Sequence, residues 1–237
     1  MGRIAALVPA AGRGERLGPG APKAMREIGG TPMLVHAVRA LADARCIDIV
    51  VVAAPEEHVE WTRSILDQQA PGSELWVVSG GASRPESVAR ALIGLPTDVD
   101  LVLVHDAARP LVPPEVISAV VAALRAGDEA VVPGLPLVDT VKELGEDDLV
   151  VSTPARASLR AIQTPQGFTR SVLQRAHAEF ASWGEEATDD AAMVERMGVT
   201  VRVISGHEEA FKVTRPLDLV LAEAILARRR ATGGLGA

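Results

Sequence analysis

One stretch decides the fold of this chain: Ile4-Ala5-Ala6-Leu7-Val8-Pro9-Ala10-Ala11-Gly12-Arg13-Gly14-Glu15-Arg16-Leu17. Its apolar first half predicts a fully buried strand, and the strand leads into a loop of small residues and glycines. Gly12 and Gly14 can adopt positive φ, which lets several backbone N–H groups of the loop face one anion. Positive charges are added by Arg13, Arg16 and, after Pro22, Lys23. The stretch therefore predicts a polyphosphate ligand.

Three kinds of phosphate loop compete for this stretch, and residue spacing separates them. A dinucleotide fingerprint, G-x-G-x-x-G, requires a glycine where Leu17 stands. A Walker loop requires a hydroxyl residue directly after its lysine, but Ala24 follows Lys23. The spacing favours a long glycine- and proline-rich loop that ends at Pro22-Lys23. A glycine-rich surface turn would explain the glycines but not the three cations.

The composition is typical of a globular α/β protein, with 48% hydrophobic and 23% charged residues in a chain of 237. We predict one domain over residues 1–231, with an excursion at 135–162, and a flexible tail at 232–237. The net charge of −7 argues against nucleic-acid and membrane-surface partners, so we expect neither. The single cysteine, Cys46, and the absence of a leader before the first strand predict a cytoplasmic protein.

Apolar segments of strand length alternate with segments of helical periodicity through the first half of the chain. The pattern predicts strands at 47–53, 75–78, 101–104 and 130–132, and helices at 32–44, 55–69, 83–95 and 113–126. This alternation indicates a Rossmann-like, mainly parallel sheet flanked by helices, with right-handed crossovers. Ligands of such sheets bind at the carboxyl ends of the strands, so the residues that follow each strand should converge.

The strand ends supply candidate site residues. After the first strand comes the Gly12 loop, after the third comes Gly80-Gly81, and after the fourth comes His105-Asp106. Asp106 is either a hydrogen-bonding turn residue or a carboxylate that approaches Mg²⁺ beside a triphosphate. Arg109 is either a surface ion-pair partner or a ligand contact. We interpret His105 as structural, because no oriented nucleophile stands beside it.

The pattern breaks between Leu135 and Ile162. Residues 137–144 and 149–152 resemble two antiparallel strands around the turn-like Gly145-Glu146-Asp147-Asp148. This excursion, called the arm below (residues 135–162), is either an edge hairpin on the sheet or a β-hairpin that pairs with a second subunit. In the second case it would carry Thr140 and Arg156 toward a site.

The helical pattern returns after the arm, with helices predicted at 169–182, 191–197 and 215–230 and strands at 199–204 and 211–214. Thr188 or Asp189 is placed to cap the second of these helices. Capping and ligand contact are compatible at that position.

Taken together, these motifs closely resemble one enzyme family, that of 2-C-methyl-D-erythritol 4-phosphate cytidylyltransferase. The resemblance runs from about Arg3 to Arg228 and rests on several motifs in order: Pro9-Ala10-Ala11-Gly12-x-Gly14-x-Arg16, Pro22-Lys23, Val104-His105-Asp106-Ala107-Ala108-Arg109, Asp139-Thr140, Gln163-Thr164-Pro165-Gln166, Thr188-Asp189 and Lys212-Val213-Thr214. It implies a nucleotidyltransferase that joins CTP to methylerythritol phosphate, releases pyrophosphate and serves non-mevalonate isoprenoid biosynthesis.

The resemblance also implies site residues. Four match catalytic positions: Arg16 and Lys23, which stabilise the transition state, and Arg156 and Lys212, which position the sugar phosphate. The nucleotide would be bound by Ala10, Ala11, Gly12, Arg13, Gly14, Lys23, Gly80, Gly81, Arg84, Ser87, Asp106 and Ala107. The sugar phosphate would contact Asp106, Arg109, Thr140, Arg156, Thr164, Thr188 and Lys212.

Further expectations follow from the same resemblance. The cofactor would be Mg²⁺, with Asp106 as its protein ligand. The arm would be exchanged within a homodimer, and the chain would be monofunctional. Two departures from the family pattern, Ala24-Met25 after Lys23 and Ala82 after Gly81, concern the packing of the loop and the base.

Other functions compete with this one. Related cytidylyltransferases act on other polyol phosphates such as ribitol 5-phosphate. The sequence does little to distinguish such an enzyme from one that acts on methylerythritol phosphate. A non-catalytic nucleotide-binding protein would be expected to lose the cations of the catalytic positions, yet all four of them are present: Arg16, Lys23, Arg156 and Lys212. A nicotinamide oxidoreductase is disfavoured by the glycine spacing.

Overall fold

A computed structural model describes residues 2–12, 22–69, 74–183 and 187–233. The strands of the described chain are β1 Arg3–Pro9, β2 Glu27–Ile28, β3 Thr31–Pro32, β4 Ile49–Ala54, β5 Glu74–Ser79, β6 Val99–Val104, β7 Ala130–Pro136, β8 Glu143–Leu144, β9 Val150–Ser152, β10 Arg160–Ile162, β11 Gln166–Thr169 and β12 Val201–Ser205. The α-helices are α1 Met33–Asp43, α2 Val59–Gln69, α3 Arg84–Ile93, α4 Pro114–Arg125, α5 Arg170–Phe180, α6 Asp190–Arg196 and α7 Pro216–Gly233. Among the described residues, none of these helices has the length and apolar character to cross a membrane.

The central sheet is mixed and mostly parallel. Its strands run in the order β10-β7-β11-β6-β1-β4-β5, and β12 also pairs with β7. The pairs β1–β4, β4–β5, β1–β6 and β7–β12 are parallel. The pairs that involve β10 and β11 are antiparallel. The predicted α/β class and the mainly parallel sheet are confirmed.

Helices cover both faces of the sheet because its strands are apolar on both sides. In β1, Ile4, Ala6 and Val8 pack into one core cluster with residues of α1, α2 and α4. The alternate residues Ala5 and Leu7 pack into a second cluster with α3, α5 and α6. This two-sided burial explains the continuous apolar run of the sequence, and it agrees with the interior position of β1 between β6 and β4.

The antiparallel strand β11 was not predicted, and it lies between β6 and β7. Gly167 of this strand lies against α4, where an added Cβ would stand 2.4 Å from Val120 Cγ1. Only glycine permits this close approach. The strand is defined by its pairing with β6 and β7, and Gly167 lets α4 pack closely over it.

The arm is less regular than predicted. Its base continues the main sheet, since Arg160 to Ile162 pair with Gly134 to Pro136. The predicted strand over 137–144 is wrong except for β8, which pairs with β9. Apolar side chains of the arm face solvent, and those more than half exposed are Val138, Leu144, Leu149, Val150 and Val151. A two-stranded ribbon without its own core cannot sustain longer strands.

The predicted strand at 211–214 is also wrong. Val213 N–H donates to Ala108 O over 2.8 Å, a single contact that fixes this segment beside the residues after β6. The next two backbone N–H groups, of Thr214 and Arg215, donate to the carboxylate of Asp218. The segment is thus the capped entrance to α7. That helix continues to Gly233, and residues 234–237 of the predicted tail lie outside the described part of the chain.

Candidate active site

A cavity of about 710 Å³ lies at the carboxyl ends of β1, β5 and β6. It is lined by Pro9, Ala10, Ala11, Gly12, Lys23, Ala24, Gly81, Ala82, Ser83, Arg84, Ser87, Asp106, Ala107, Ala108, Lys212 and Thr214. Ten of the predicted site residues are among them, brought together from five separate segments of the chain. Gly80 lines a neighbouring cavity of about 400 Å³, which shares Ala11, Gly81 and Ala82 with the first.

The turn after β5 is held rigidly by helix α3. Ser87 Oγ accepts from Gly81 N–H over 3.0 Å and donates to Ser83 O over 2.9 Å. Arg90 donates to Gly80 O over 2.6 Å, and Glu86 accepts from Ala82 N–H over 2.8 Å. The backbone of this turn is therefore fixed before a ligand binds, which suits recognition by backbone groups.

Glycine is required at the first position of that turn. An added Cβ on Gly80 would stand 2.9 Å from Ala11 Cβ and 3.2 Å from Ala54 O. The turn after β5 and the loop after β1 consequently lie in direct contact. Their contact excludes any side chain at position 80.

Asp106 is the carboxylate at the centre of the cavity wall. Its Oδ2 lies 2.8 Å from Lys212 Nζ and 4.0 Å from Arg109 Nε, and its Oδ1 lies 3.2 Å from Arg84 Nε. Burial alone would raise the pKa of Asp106, but the charges of Arg84, Lys212 and Arg109 outweigh burial and lower it. The carboxylate is therefore ionised and surrounded by cations, whichever ligand enters.

A second carboxylate, Asp190, lies behind Arg84 and was not predicted as a site residue. It is fully buried, and its Oδ2 lies 2.7 Å from Arg84 Nη1. His177 Nε2 lies 2.9 Å from Asp190 Oδ1 on the other side. Burial would lower the pKa of Arg84, but Asp190 and Asp106 raise it above its usual range. The only sequence signal for Asp190 was its position next to the predicted helix cap. No local pattern could reveal that its partner is Arg84.

Arg109 and Thr164, both predicted substrate contacts, are occupied by the protein itself. Arg109 donates to Ala210 O over 2.7 Å and to Ile162 O over 3.2 Å, so it joins the base of the arm to the segment before Lys212. Thr164 Oγ1 accepts from Asp106 N–H over 3.0 Å. These residues lie beside Asp106 and shape the cavity from behind its lining.

The prediction that His105 is structural agrees with its surroundings. The side chain is fully buried, with Nδ1 3.0 Å from Thr164 Oγ1 and Nε2 3.1 Å from Arg109 O. Burial lowers the pKa of His105 to about 4. The imidazole is therefore neutral near pH 7 and fixes the turn that presents Asp106.

Two glutamines of the quoted Gln163-Thr164-Pro165-Gln166 motif connect this turn to later segments. Gln163 exchanges hydrogen bonds with the backbone of His207, at 2.9 and 3.0 Å. Gln166 donates to Asp189 over 2.7 Å and accepts from Ala191 N–H over 3.1 Å. The motif thereby sets the positions of both the Lys212 segment and the start of α6.

The remaining predicted residues lie away from the cavity lining or outside the described residues. Thr140 and Arg156 are exposed on the arm, where Arg156 donates to Val138 O. Thr188 is exposed, and Asp189 is the residue that caps α6, accepting from Ala192 N–H over 2.9 Å. Arg13, Gly14 and Arg16 lie outside the described residues.

The donor set of the cavity can be tested against Mg²⁺. Within residues 2–12, 22–69, 74–183 and 187–233, no three His, Cys, Asp or Glu side chains form a ready-made metal cluster. Asp106 is a carboxylate that faces the cavity. Mg²⁺ is commonly held by one or two carboxylates together with substrate phosphates. The residues therefore fit a metal that arrives with a polyphosphate and binds Asp106 through Oδ2, the oxygen that Lys212 would release to the same ligand.

The arrangement suits chemistry on phosphate groups. Lys23 and Lys212 lie in the cavity lining, and Lys212 Nζ pairs there with Asp106. Such positioned cations stabilise charge that develops on transferring phosphoryl oxygens. A phosphoryl or nucleotidyl transfer needs these elements and no covalent nucleophile.

Comparisons with known proteins agree with this geometry. The model of the 2-C-methyl-D-erythritol 4-phosphate cytidylyltransferase family matches residues 4–228. Proteins of that name from Streptomyces avermitilis and Frankia casuarinae are 58% and 55% identical, covering 98% and 95% of this chain and 95% and 82% of their own length. The crystal structure of the Thermus thermophilus protein of that name has 37% identity and a TM-score of 0.76, covering 94% of this chain and 98% of its own. A 4-diphosphocytidyl-2C-methyl-D-erythritol synthase structure from Anaerococcus prevotii has 27% identity and a TM-score of 0.84, covering 95% and 99%.

Proposed function

The chain belongs to the 2-C-methyl-D-erythritol 4-phosphate cytidylyltransferase family, and we infer that it converts CTP and 2-C-methyl-D-erythritol 4-phosphate to 4-diphosphocytidyl-2-C-methyl-D-erythritol and pyrophosphate. One observation carries this conclusion. In a chain matched over nearly its whole length, segments that bear four of the family motifs, at 9–12, 22–23, 104–109 and 212–214, contribute to one cavity at the carboxyl ends of the strands. The activity belongs to isoprenoid biosynthesis.

In the reaction, a phosphate oxygen of the sugar phosphate attacks the α-phosphorus of CTP. A new P–O bond forms as the bond to the pyrophosphate oxygen breaks, and pyrophosphate leaves with that electron pair. The enzyme contributes chiefly by aligning the two substrates and by stabilising charge on the equatorial oxygens. Lys23, in the cavity lining at the end of the phosphate loop, is placed to supply this stabilisation.

Lys212 is proposed to hold the phosphate of the second substrate. Its ammonium group pairs with Asp106 at 2.8 Å, while 38% of its side chain is exposed. A partly exposed lysine can exchange one anionic partner for another with little reorganisation. Arg84 and Arg109 remain beside Asp106 when Lys212 turns away, so the carboxylate keeps cationic partners.

We also propose Mg²⁺ as the cofactor, held by Asp106 and the phosphates of CTP. When bound, the ion would neutralise negative charge on the departing pyrophosphate. Asp106 is ionised throughout the neutral range because the neighbouring cations lower its pKa. The carboxylate is therefore available to a divalent cation without a preceding proton loss.

A homodimer with shared sites is proposed for the arm. Thr140 and Arg156 are exposed on the arm and are absent from the cavity lining of their own chain among the described residues. The arm also exposes Val138, Leu149 and Val151 at 83%, 68% and 66%. Apolar side chains on a thin ribbon are stabilised by packing against a second copy, which would bring Arg156 to the partner's cavity.

A cytoplasmic location is proposed from the single cysteine.

Turnover by the purified protein tests this function. The protein would be given CTP and Mg²⁺ with a panel of polyol phosphates, and pyrophosphate release would be measured. We expect release with methylerythritol phosphate. Release with ribitol 5-phosphate alone would overturn the proposed substrate, and CTP binding without release from any substrate would indicate a non-catalytic nucleotide-binding protein.

A further inference from the structure

A row of alternating charges leads from the cavity into the core of the protein. Lys212 and Asp106 form its outer end, Arg84 its middle and Asp190 its inner end, and His177 Nε2 lies 2.9 Å from Asp190 Oδ1. The row runs from a half-exposed side chain at Lys212, 38% exposed, to a fully buried one at Asp190. The outer residues have roles in the proposed function, whereas the inner two have none.

Burial of Asp190 costs free energy, because an ionised carboxylate loses its hydration in the core. Burial would raise the pKa of Asp190, but Arg84 and His177 outweigh burial and lower it, so the group remains charged. Its two oxygens are divided between two partners, Arg84 Nη1 at 2.7 Å and His177 Nε2 at 2.9 Å. A carboxylate held from both sides is a fixed point for the guanidinium.

The guanidinium of Arg84 is consequently bound to two carboxylates through different nitrogens. Nη1 faces Asp190 and Nε faces Asp106 at 3.2 Å. Without Asp190, the same guanidinium could turn and form a two-fold hydrogen-bonded pair with Asp106, the preferred geometry of an isolated arginine and carboxylate. Such a pair would occupy both oxygens of Asp106 and withdraw them from Lys212 and from the ligand.

We propose that Asp190 is a positioning residue for the nucleotidyl-transfer site: by anchoring Arg84 in the core, with His177 as its support, it limits Arg84 to Oδ1 of Asp106 and leaves Oδ2 to Lys212 and, once Lys212 turns to the substrate phosphate, to the ligand. This inference rests on the proposed function. The proposal assigns a role to the buried charge of Asp190, and it makes α6, which begins at Asp190, a support of the active site.

A double-mutant cycle tests the proposal, with kcat/KM for CTP measured from pyrophosphate release. Asp190→Asn should lower kcat/KM by about ten-fold or more, because Arg84 loses its charged anchor. In an Arg84→Met background the same substitution should change kcat/KM less than about two-fold, since the anchored group is absent. Equal losses in the two backgrounds would overturn the proposal.

A control must separate this effect from general destabilisation. Val172→Ala truncates a buried residue of α5, the helix that carries His177, without touching the charged row. It should leave kcat/KM within about two-fold at temperatures below its own thermal transition. A loss in Val172→Ala equal to that in Asp190→Asn would reduce Asp190 to a stability residue and contradict the proposal.

If Asp190→Asn does not yield folded protein, Asp190→Glu provides the test. Glutamate keeps the charge but moves the carboxylate by one methylene, so kcat/KM should fall several-fold in the wild-type background and stay level in Arg84→Met. Wild-type activity in Asp190→Glu would overturn the proposal. Failure of the wild-type protein to release pyrophosphate from methylerythritol phosphate would instead overturn the proposed function, so the two failures are distinguishable.

Discussion

The wall of the cavity and the arm differ in where their side chains find partners. In the wall, Asp106, Arg84 and Asp190 satisfy one another inside a single chain, and the turn after β5 is fixed by α3. On the arm, Val150 and Val151 are more than half exposed, and β8 and β9 pair through a few residues at the protein surface. The wall is therefore organised within one subunit before a ligand or a second subunit binds. The arm, in contrast, exposes apolar side chains that a second subunit could cover.

This difference predicts that substitutions in the wall impair the cavity of the same subunit, whereas substitutions on the arm impair the cavity of the partner subunit. The experiments below test that division.

Lys23→Ala should have the largest effect. Lys23 belongs to the cavity lining at the end of the phosphate loop, where it would stabilise charge that develops only in the transition state. Loss of one such donor typically costs about 10²- to 10³-fold in kcat. Calorimetry should find CTP affinity much less affected than kcat. A variant that loses CTP binding while bound substrate turns over normally would make Lys23 a binding residue only.

Asp106→Asn should reduce activity by roughly ten- to hundred-fold, because the amide cannot balance Lys212 or support a divalent cation. The domain should remain folded, since Arg84 keeps Asp190 as a partner. Turnover across a Mg²⁺ titration and circular dichroism measure the two effects. A chelator should abolish wild-type activity, and Mg²⁺ should restore it. Full activity in Asp106→Asn would return Asp106 to the turn-residue interpretation.

Mixing two inactive variants tests the contribution of the arm. If Arg156 acts in the partner's cavity, a heterodimer of Lys23→Ala and Arg156→Ala has one site with both lesions and one site with neither. With free exchange, half of the dimers are heterodimers, so about a quarter of wild-type activity should return. Mass spectrometry would confirm the exchange. Confirmed exchange without activity would place Lys23 and Arg156 in the same subunit's site and leave the arm a structural role.

The sequence was sufficient to predict the residues at the strand ends but not the contacts behind them. Gly80 and Asp106 follow apolar strands, and the rule that parallel strands gather ligands at their carboxyl ends placed both at one edge of the sheet. The sequence analysis assigned no role to Asp190, which only adjoins the predicted helix cap at Asp189. Its partner Arg84 lies 106 residues away in the chain, so their contact depends on the order of strands in the sheet.

The same reason explains the missed strand. Gln166 to Thr169 form β11 by pairing with β6 and β7, partners that are far away in the sequence, and Gly167 makes room for α4 over the strand. Conversely, 211–214 carries apolar residues at strand spacing, yet Asp218 captures the N–H groups of Thr214 and Arg215 and begins a helix. Local patterns located the elements, and competition between distant partners decided these exceptions.

The smallest predicted effect compares one substitution in the two regions. Ser83→Ala removes the cap of α3, where Ser83 Oγ accepts from Glu86 N–H over 3.2 Å, and should lower the free energy of unfolding by about 1 kcal/mol. Ser152→Ala removes a hydrogen bond to Glu143 at the exposed surface of the arm and should change it by about 0.5 kcal/mol or less. Urea denaturation of both variants at one protein concentration measures the difference. The cap satisfies a backbone N–H at a helix end that supports the cavity, whereas water can replace the partner of Ser152. If Ser152→Ala costs as much as Ser83→Ala, the arm is part of the cooperative core of its own chain, and the proposed division between wall and arm fails.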